Sequence, residues 1–179
     1  MELTTNYTGR KDEIIALFNA TFTASEGAAE GELIAKLVRE MFATVAPEDI
    51  FVFLALDKGA ITGAIVFTRL TYPDDARTVF VLAPVAVATS QQGRGIGQTL
   101  LEYGLNHLRD CNVDVAMTYG DINYYARVGF KQISETLAQP PLELDYPEGW
   151  LGQSLTEKPL TQLSGRSHCV EALNSPNYW

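Results

Sequence analysis

The chain has 179 residues, 46% of them hydrophobic and 20% charged, and carries a net charge of −9. That balance is the balance of one ordinary globular domain, residues 1–179, with enough length for a sizeable core. It excludes the clustered Lys and Arg of a nucleic-acid binder and is compatible with a cationic substrate such as an amine. No apolar run approaches the ~20 residues that span a bilayer. Residues 1–6 have neither the basic nor the apolar part of a secretory signal. Two cysteines, Cys111 and Cys169, and two histidines give neither a disulfide framework nor a structural zinc site. A cytoplasmic protein without a metal is the expectation.

In chain order, residues 2–7 read as a short strand. Residues 11–23 read as a helix with Ile14, Leu17, Phe18 and Phe22 on one face. Residues 25–31 are a small-residue, acidic break. Residues 32–44 form a second helix with Leu33, Leu37, Val38 and Met41 inward. The period then changes. Residues 50–56 and 60–70 form a hairpin about the turn Asp57-Lys58-Gly59, and Tyr72-Pro73-Asp74-Asp75 is a further turn. Residues 79–87 are nearly continuously apolar, as in a central strand buried on both faces. Residues 95–109 are a helix with Leu100, Leu101, Gly104, Leu105 and Leu108 inward. Residues 113–117 are a strand, 122–128 a short helix and 130–134 the start of another strand. The strand–helix–strand spacing makes 79–87 and 113–117 parallel. After Pro140, prolines cut the chain into short pieces. Residues 150–155 read as a last strand, and the aromatic tail Pro176-Asn177-Tyr178-Trp179 is expected to dock.

The central feature is Gln91-Gln92-Gly93-Arg94-Gly95-Ile96-Gly97-Gln98, set directly between a strand and an amphipathic helix. A helix start leaves backbone N–H groups unpaired and carries partial positive charge. Glycines let an anion approach the backbone, and Arg94 adds a charge-assisted contact. The 24 residues 78–101 contain no Asp or Glu, whereas an even spread of the chain's 22 acids would place about three there. Part of that depletion follows from strand burial alone. Two rival phosphate loops fail. No lysine stands between Lys58 and Lys131, so there is no Walker A loop. The third position of a dinucleotide G-x-G-x-x-G falls on Gln98 or Leu100, which weighs against a nucleotide-dependent oxidoreductase.

Gln92-x-x-Gly95-x-Gly97, after a strand ending Leu82-Ala83-Pro84-Val85-Ala86-Val87, resembles motif A of the GNAT superfamily of acyl-CoA N-acyltransferases, Q/R-x-x-G-x-G/A. About 30 residues on, Tyr125-Ala126-Arg127-Val128-Gly129-Phe130 is similar to that family's Tyr-x-x-x-Gly-Phe. Gly120-Asp121 before Tyr124-Tyr125 resembles the predicted-acetyltransferase branch of the YhbS type. The resemblance covers residues 50–134; residues 140–179 add a C-terminal strand and tail. It implies an α/β (α+β) fold with a mixed central sheet, largely antiparallel with one parallel, splayed strand pair, flanked by helices.

It also implies acetyl-CoA as cosubstrate and an amine acceptor, small molecule or protein, attacked within a ternary complex by a monomer or homodimer. Gln92, Gly93, Arg94, Gly95, Ile96, Gly97 and Gln98 would meet the pyrophosphate. The Val85 N–H would face the acyl carbonyl, and Ala86 and Val87 would hold the pantetheine arm. Pro84 has no N–H and marks a bulge or splay.

Tyr125 is the candidate proton donor to the leaving thiolate, with Tyr124 and Tyr119 as rivals because helix phase is open by a residue or two. Full transfer from an ordinary phenol to a thiolate is uphill by roughly 2 kcal/mol, so a hydrogen bond to sulfur is the expected role. The central strand contains no acid, and no base is identified. Glu26, Glu30, Asp121, Glu143, Asp145 and Glu148 read as solvated carboxylates, and His168 beside Cys169 reads as structural. The missing strand acid keeps a second reading open, a non-catalytic acyl-CoA sensor or interaction module.

Overall fold

The computed structural model describes residues 1–179, and no helix in it is long and apolar enough to cross a membrane. Seven strands form one mixed sheet in the order β1-β2-β3-β4-β5-β7-β6. They are β1 (Glu2–Thr4), β2 (Ile50–Asp57), β3 (Ala60–Arg69), β4 (Val79–Val87), β5 (Val115–Tyr119), β6 (Lys131–Gln132) and β7 (Trp150–Ser154). The helices are α1 (Lys11–Glu26), α2 (Ala28–Thr44), α3 (Ile96–Asp110) and α4 (Ile122–Tyr125). Neighbouring strands are antiparallel except β4 and β5, which run parallel, as the strand–helix–strand spacing predicts. The chain folds as two compact units, residues 1–67 with 84–104, and residues 68–83 with 105–179. β4 passes from one to the other at Ala83-Pro84.

In the first unit, α1 and α2 are joined by Gly27 alone. The expected break over residues 25–31 is therefore a one-residue joint. Gly27 takes φ +99°, a conformation that favours glycine, and its N–H closes on Thr23 O at 3.0 Å. Small residues beyond it serve packing instead: a Cβ on Gly31 would run into the Thr23 side chain and the Asn19 carbonyl. Ile14 and Phe18 of α1 and Ile34, Leu37, Val38 and Met41 of α2 are buried, so Ile34 takes the inward place expected of Leu33. The β2–β3 hairpin turns through Lys58 (φ +49°) and Gly59 (φ +83°), the two positive φ values of a type I′ turn. Gly104 of α3 lies against the sheet, where a Cβ would sit 3.0 Å from both Phe53 and Ile65.

The second unit is centred on Trp150, fully buried, whose indole N–H donates to Ala138 O at 2.8 Å. Trp179 docks there as expected of the tail. Its ring stacks on Tyr119 at 6.3 Å and meets Trp150 edge-on at 6.0 Å, and its N–H donates to Leu173 O at 2.9 Å. Two strand positions shift from expectation: β5 begins two residues later than predicted and runs to Tyr119, and β6 shrinks to Lys131–Gln132. Residues 161–164 are pinned by one ion pair. Arg77 donates to both carboxylate oxygens of Asp75, at 2.9 and 2.8 Å, and also to Thr161 O and Gln162 O. Asp75 in turn accepts from the Ser164 N–H at 3.0 Å.

The Arg77 guanidinium and these N–H donors hold the Asp75 carboxyl well below the usual carboxylate range. A group whose pKa falls on folding stabilises above its unfolded value and loses that contribution as pH falls through the folded one. Asp75→Asn should therefore lower Tm at pH 7 by roughly 4–8 °C, about 2 kcal/mol for charge-assisted hydrogen bonds in a chain of this size. The gap between variant and parent should narrow as pH drops below about 4, and a gap independent of pH in thermal melts would contradict this account.

Candidate active site

The strand-to-helix loop keeps its glycines for a backbone reason. Gly93 and Gly95 have φ +74° and +78°, and a Cβ built on either would meet nothing within 4 Å. The space above them is open. The first hydrogen bond of α3 runs from Thr99 N–H to Gly95 O at 3.0 Å. The N–H groups of Ile96, Gly97 and Gln98 thus precede the helix ladder, the usual condition of a helix start. The first turn of α3 has no acid, so no carboxylate of its own offsets the partial positive charge there, while His107 and Arg109 stand in its last turn. The Gln92 side chain does not reach outward; its Nε2 donates to Val87 O at 3.0 Å and ties the loop back to the end of β4. Arg94 is exposed and donates to Gln91 Oε1 at 3.2 Å.

β4 is irregular against β3. Leu70 N–H donates to Val79 O at one end of the β3–β4 ladder and Ala88 N–H to Thr62 O at the other, so nine residues of β4 face eight of β3. One extra residue in β4 is a β-bulge, and Pro84, which has no N–H, is the residue of that stretch least able to continue a ladder. On the other edge, β4 pairs with β5 only from Val79↔Val115 to Leu82↔Thr118, while β4 itself runs on to Val87. Val85 and Val87 are half-buried and Ala86 is buried. The Leu82 carbonyl, last in that ladder, accepts from the buried Thr118 hydroxyl at 3.0 Å.

α4 is held by Asp121, whose Oδ1 accepts from Asn123 N–H at 2.9 Å. Of the three tyrosines in reach, Tyr124 is exposed, and the Tyr119 oxygen accepts from the Tyr146 N–H at 2.6 Å. Tyr125 turns inward. Its ring meets Phe130 edge-on at 5.8 Å and lies on Gly120, where a Cβ would come within 2.8 Å of it. Burial pushes the Tyr125 phenol up to about 12, and the neighbouring Tyr124 adds to that shift. The turn after α4 ends at Gly129, φ +95°, and Gln153 of β7 donates to Val128 O at 3.0 Å. Thr118 and Gln153 escaped the sequence reading. The signal for Thr118 was present, a hydroxyl inside the apolar run Val115-Ala116-Met117, but the strand was ended one residue short of it.

The remaining candidates stay dispersed. Glu26, Glu143, Asp145 and Glu148 are exposed, Glu30 is half-buried, and Asp121 is occupied as a cap. His168 is exposed and its backbone bridges to Thr71. Burial pushes the Cys169 thiol up to about 11, which keeps it protonated and a poor nucleophile.

The pattern of the acetyltransferase (GNAT) family matches residues 11–130. An uncharacterised N-acetyltransferase of Escherichia coli K12, YjhQ, is 33% identical over 147 residues, covering 79% of this chain and 78% of that protein. Two solved structures share the fold. The E. coli GNAT protein YhbS, in complex with CoA, has a TM-score of 0.84 at 20% identity over 97% of this chain and 92% of its own. A GNAT acetyltransferase from Brucella melitensis, in complex with acetyl-CoA, has a TM-score of 0.75 at 22% identity over 97% of each chain.

Proposed function

The chain belongs to the acetyltransferase (GNAT) family, and from that premise we propose that it transfers an acetyl group from acetyl-CoA to a primary amine in a ternary complex. The observation that carries this reading is the loop before α3: two glycines at positive φ, open space above them, helix-start N–H groups and no acid. These features fit the paired phosphates of CoA, which the related folds of YhbS and the Brucella protein bind. The loop residues Gly93 to Gln98 hold the pyrophosphate, with Arg94 swinging from Gln91 to a phosphate oxygen. Gln92 acts by bracing the loop. The protein works in the cytoplasm as a single acyltransferase domain, with both thiols free.

The thioester supplies an activated acetyl group. The chain's part is to seat it and to assist the sulfur's departure. The bulged end of β4 presents backbone N–H and C=O to the pantetheine arm, with the Val85 N–H facing the thioester carbonyl and stabilising negative charge there. The amine nitrogen bonds to the carbonyl carbon, the carbon–sulfur bond breaks, and the nitrogen's surplus proton leaves to water. Tyr125 donates a hydrogen bond to the departing sulfur. With its phenol at about 12 against a thiol near 8.5, complete proton transfer is uphill by roughly 5 kcal/mol. That is more than an ordinary phenol would require, so Tyr125 acts chiefly as a hydrogen-bond donor.

Two results test this reading. Calorimetry should show CoA and acetyl-CoA binding to the purified protein, weakened 10- to 100-fold by Gly95→Val, which forces a branched residue to φ +78° and covers the amides. A folded protein that ignores millimolar CoA would refute the assignment. Release of CoA thiol, followed against a panel of amines (a diamine, a lysine peptide, an amino sugar), should require acceptor. Tyr125→Phe should slow turnover by roughly 10- to 1000-fold and leave a measurable remainder. Binding without transfer to any amine would favour an acyl-CoA sensor.

A further inference from the structure

Tyr125 ends a helix too short to hold itself. α4 has four residues, and the 3₁₀ turn Ala126–Val128 that continues it has three, whereas an isolated helix of even ~12 residues is marginal in water. Its place is set by ties to its surroundings. At the start, Asp121 accepts from Asn123 N–H at 2.9 Å. At the end, the chain returns to the sheet through β6, which pairs with β7 at only two positions, Lys131↔Gly152 and Gln132↔Leu151. One residue further along β7, Gln153 adds a tie from its side chain: its Nε2 donates to Val128 O at 3.0 Å. That approach depends on Gly129. Beyond its φ of +95°, a Cβ there would sit 3.0 Å from Gln153 Oε1, so the amide lies against bare backbone. Gly129 N–H in turn closes on Ala126 O at 3.1 Å, and Phe130 N–H on Tyr125 O at 3.3 Å. The carbonyl that Gln153 holds therefore belongs to the turn that closes on Tyr125.

We propose that Gln153 is a positioning residue for acetyl transfer: by holding the Val128 carbonyl it fixes the turn that carries Tyr125, and with it the direction of the phenol. Gln153 touches neither substrate, and none of its covalent bonds changes. Its neutral amide does not titrate, so the tie is the same at every working pH. One neutral hydrogen bond adds little to overall stability, whereas a displacement of about 1 Å at a reacting group can cost on the order of 100-fold in rate. The tie therefore matters more to turnover than to folding. The inference rests on the acetyltransferase reading and on Tyr125 as the donor to sulfur.

Gln153→Met keeps the length of the side chain without its donor. Gln153→Glu keeps its shape but sets an oxygen against the Val128 carbonyl. Each should lower kcat by roughly 5- to 50-fold with the KM for acetyl-CoA within about 2-fold, and neither loss should exceed that of Tyr125→Phe. Added to Tyr125→Phe, Gln153→Met should slow the enzyme by less than about 2-fold, because the group it positions is already gone. Asp75→Asn, which loosens residues 161–164 of the same unit, should leave kcat within about 2-fold when assayed well below its Tm. Equal slowing by Gln153→Met in both backgrounds overturns the proposal, as does equal slowing by Asp75→Asn. A second readout is independent of turnover. In protein carrying tyrosine labelled with ¹³C at Cζ, the Tyr125 resonance, identified by its loss in Tyr125→Phe, should shift or broaden in both Gln153 variants and stay in Asp75→Asn. A Tyr125 resonance unmoved in both Gln153 variants rejects the positioning role whatever the assays show. A parent that binds acetyl-CoA but transfers to no amine rejects the acetyltransferase reading, while the spectrum still decides whether Gln153 holds Tyr125.

Discussion

The Leu82↔Thr118 pair, where the parallel ladder of β4 and β5 stops, is the constraint from which the candidate site follows. A central strand ordinarily satisfies both edges along its length, because a buried carbonyl without a partner is destabilising. β4 continues to Val87 with an extra residue against β3, and Pro84 can offer no N–H in that stretch. The strand must therefore end one ladder early, and the last carbonyl needs a donor from outside the backbone. Thr118 supplies it from its side chain.

Charge placement converges on the same stretch. The chain is acidic as a whole, yet residues 78–101 hold no acid and α3 begins without one. Two glycines at positive φ then bring backbone, not side chains, to the surface of the loop. Gln92 braces that loop by its bond to Val87 O. A bond of this kind, from a motif side chain back to the preceding strand, is not visible in one-dimensional spacing.

Much of the fold was legible because its signals are local. Val79–Val87 is an unbroken apolar run, α3 carries a regular inner face after its glycines, and Lys58-Gly59 has the chemistry of a tight hairpin turn. What was not legible depends on tertiary partners. The α1–α2 joint looked like a loop because small residues signal both flexibility and close packing, and only the meeting of Gly31 with Thr23 decides between them. The end of β5 was misjudged because Thr118-Tyr119-Gly120 looks like a turn, whereas Tyr119 pairs with Trp150 and Gly120 lies under a ring. The Asp75–Arg77 pair gave no sign in sequence that it would tie down residues 161–164, a link across more than 80 positions.

The phenol that sequence assigned to proton donation is a weaker acid in place than in isolation, since burial opposes the phenolate. That shift argues for a particular division of labour. A group neutral across the whole working range gives an unchanging hydrogen bond and contributes no ionisation of its own to the reaction. The carboxylates singled out by sequence are exposed, half-buried (Glu30) or engaged as a cap, and the thiol of Cys169 is kept protonated. Burial and ring packing on Gly120 thus keep the Tyr125 phenol neutral and fix its ring. In the proposed reaction, the ionisation on which turnover depends would then fall to the acceptor amine, which must be neutral to attack.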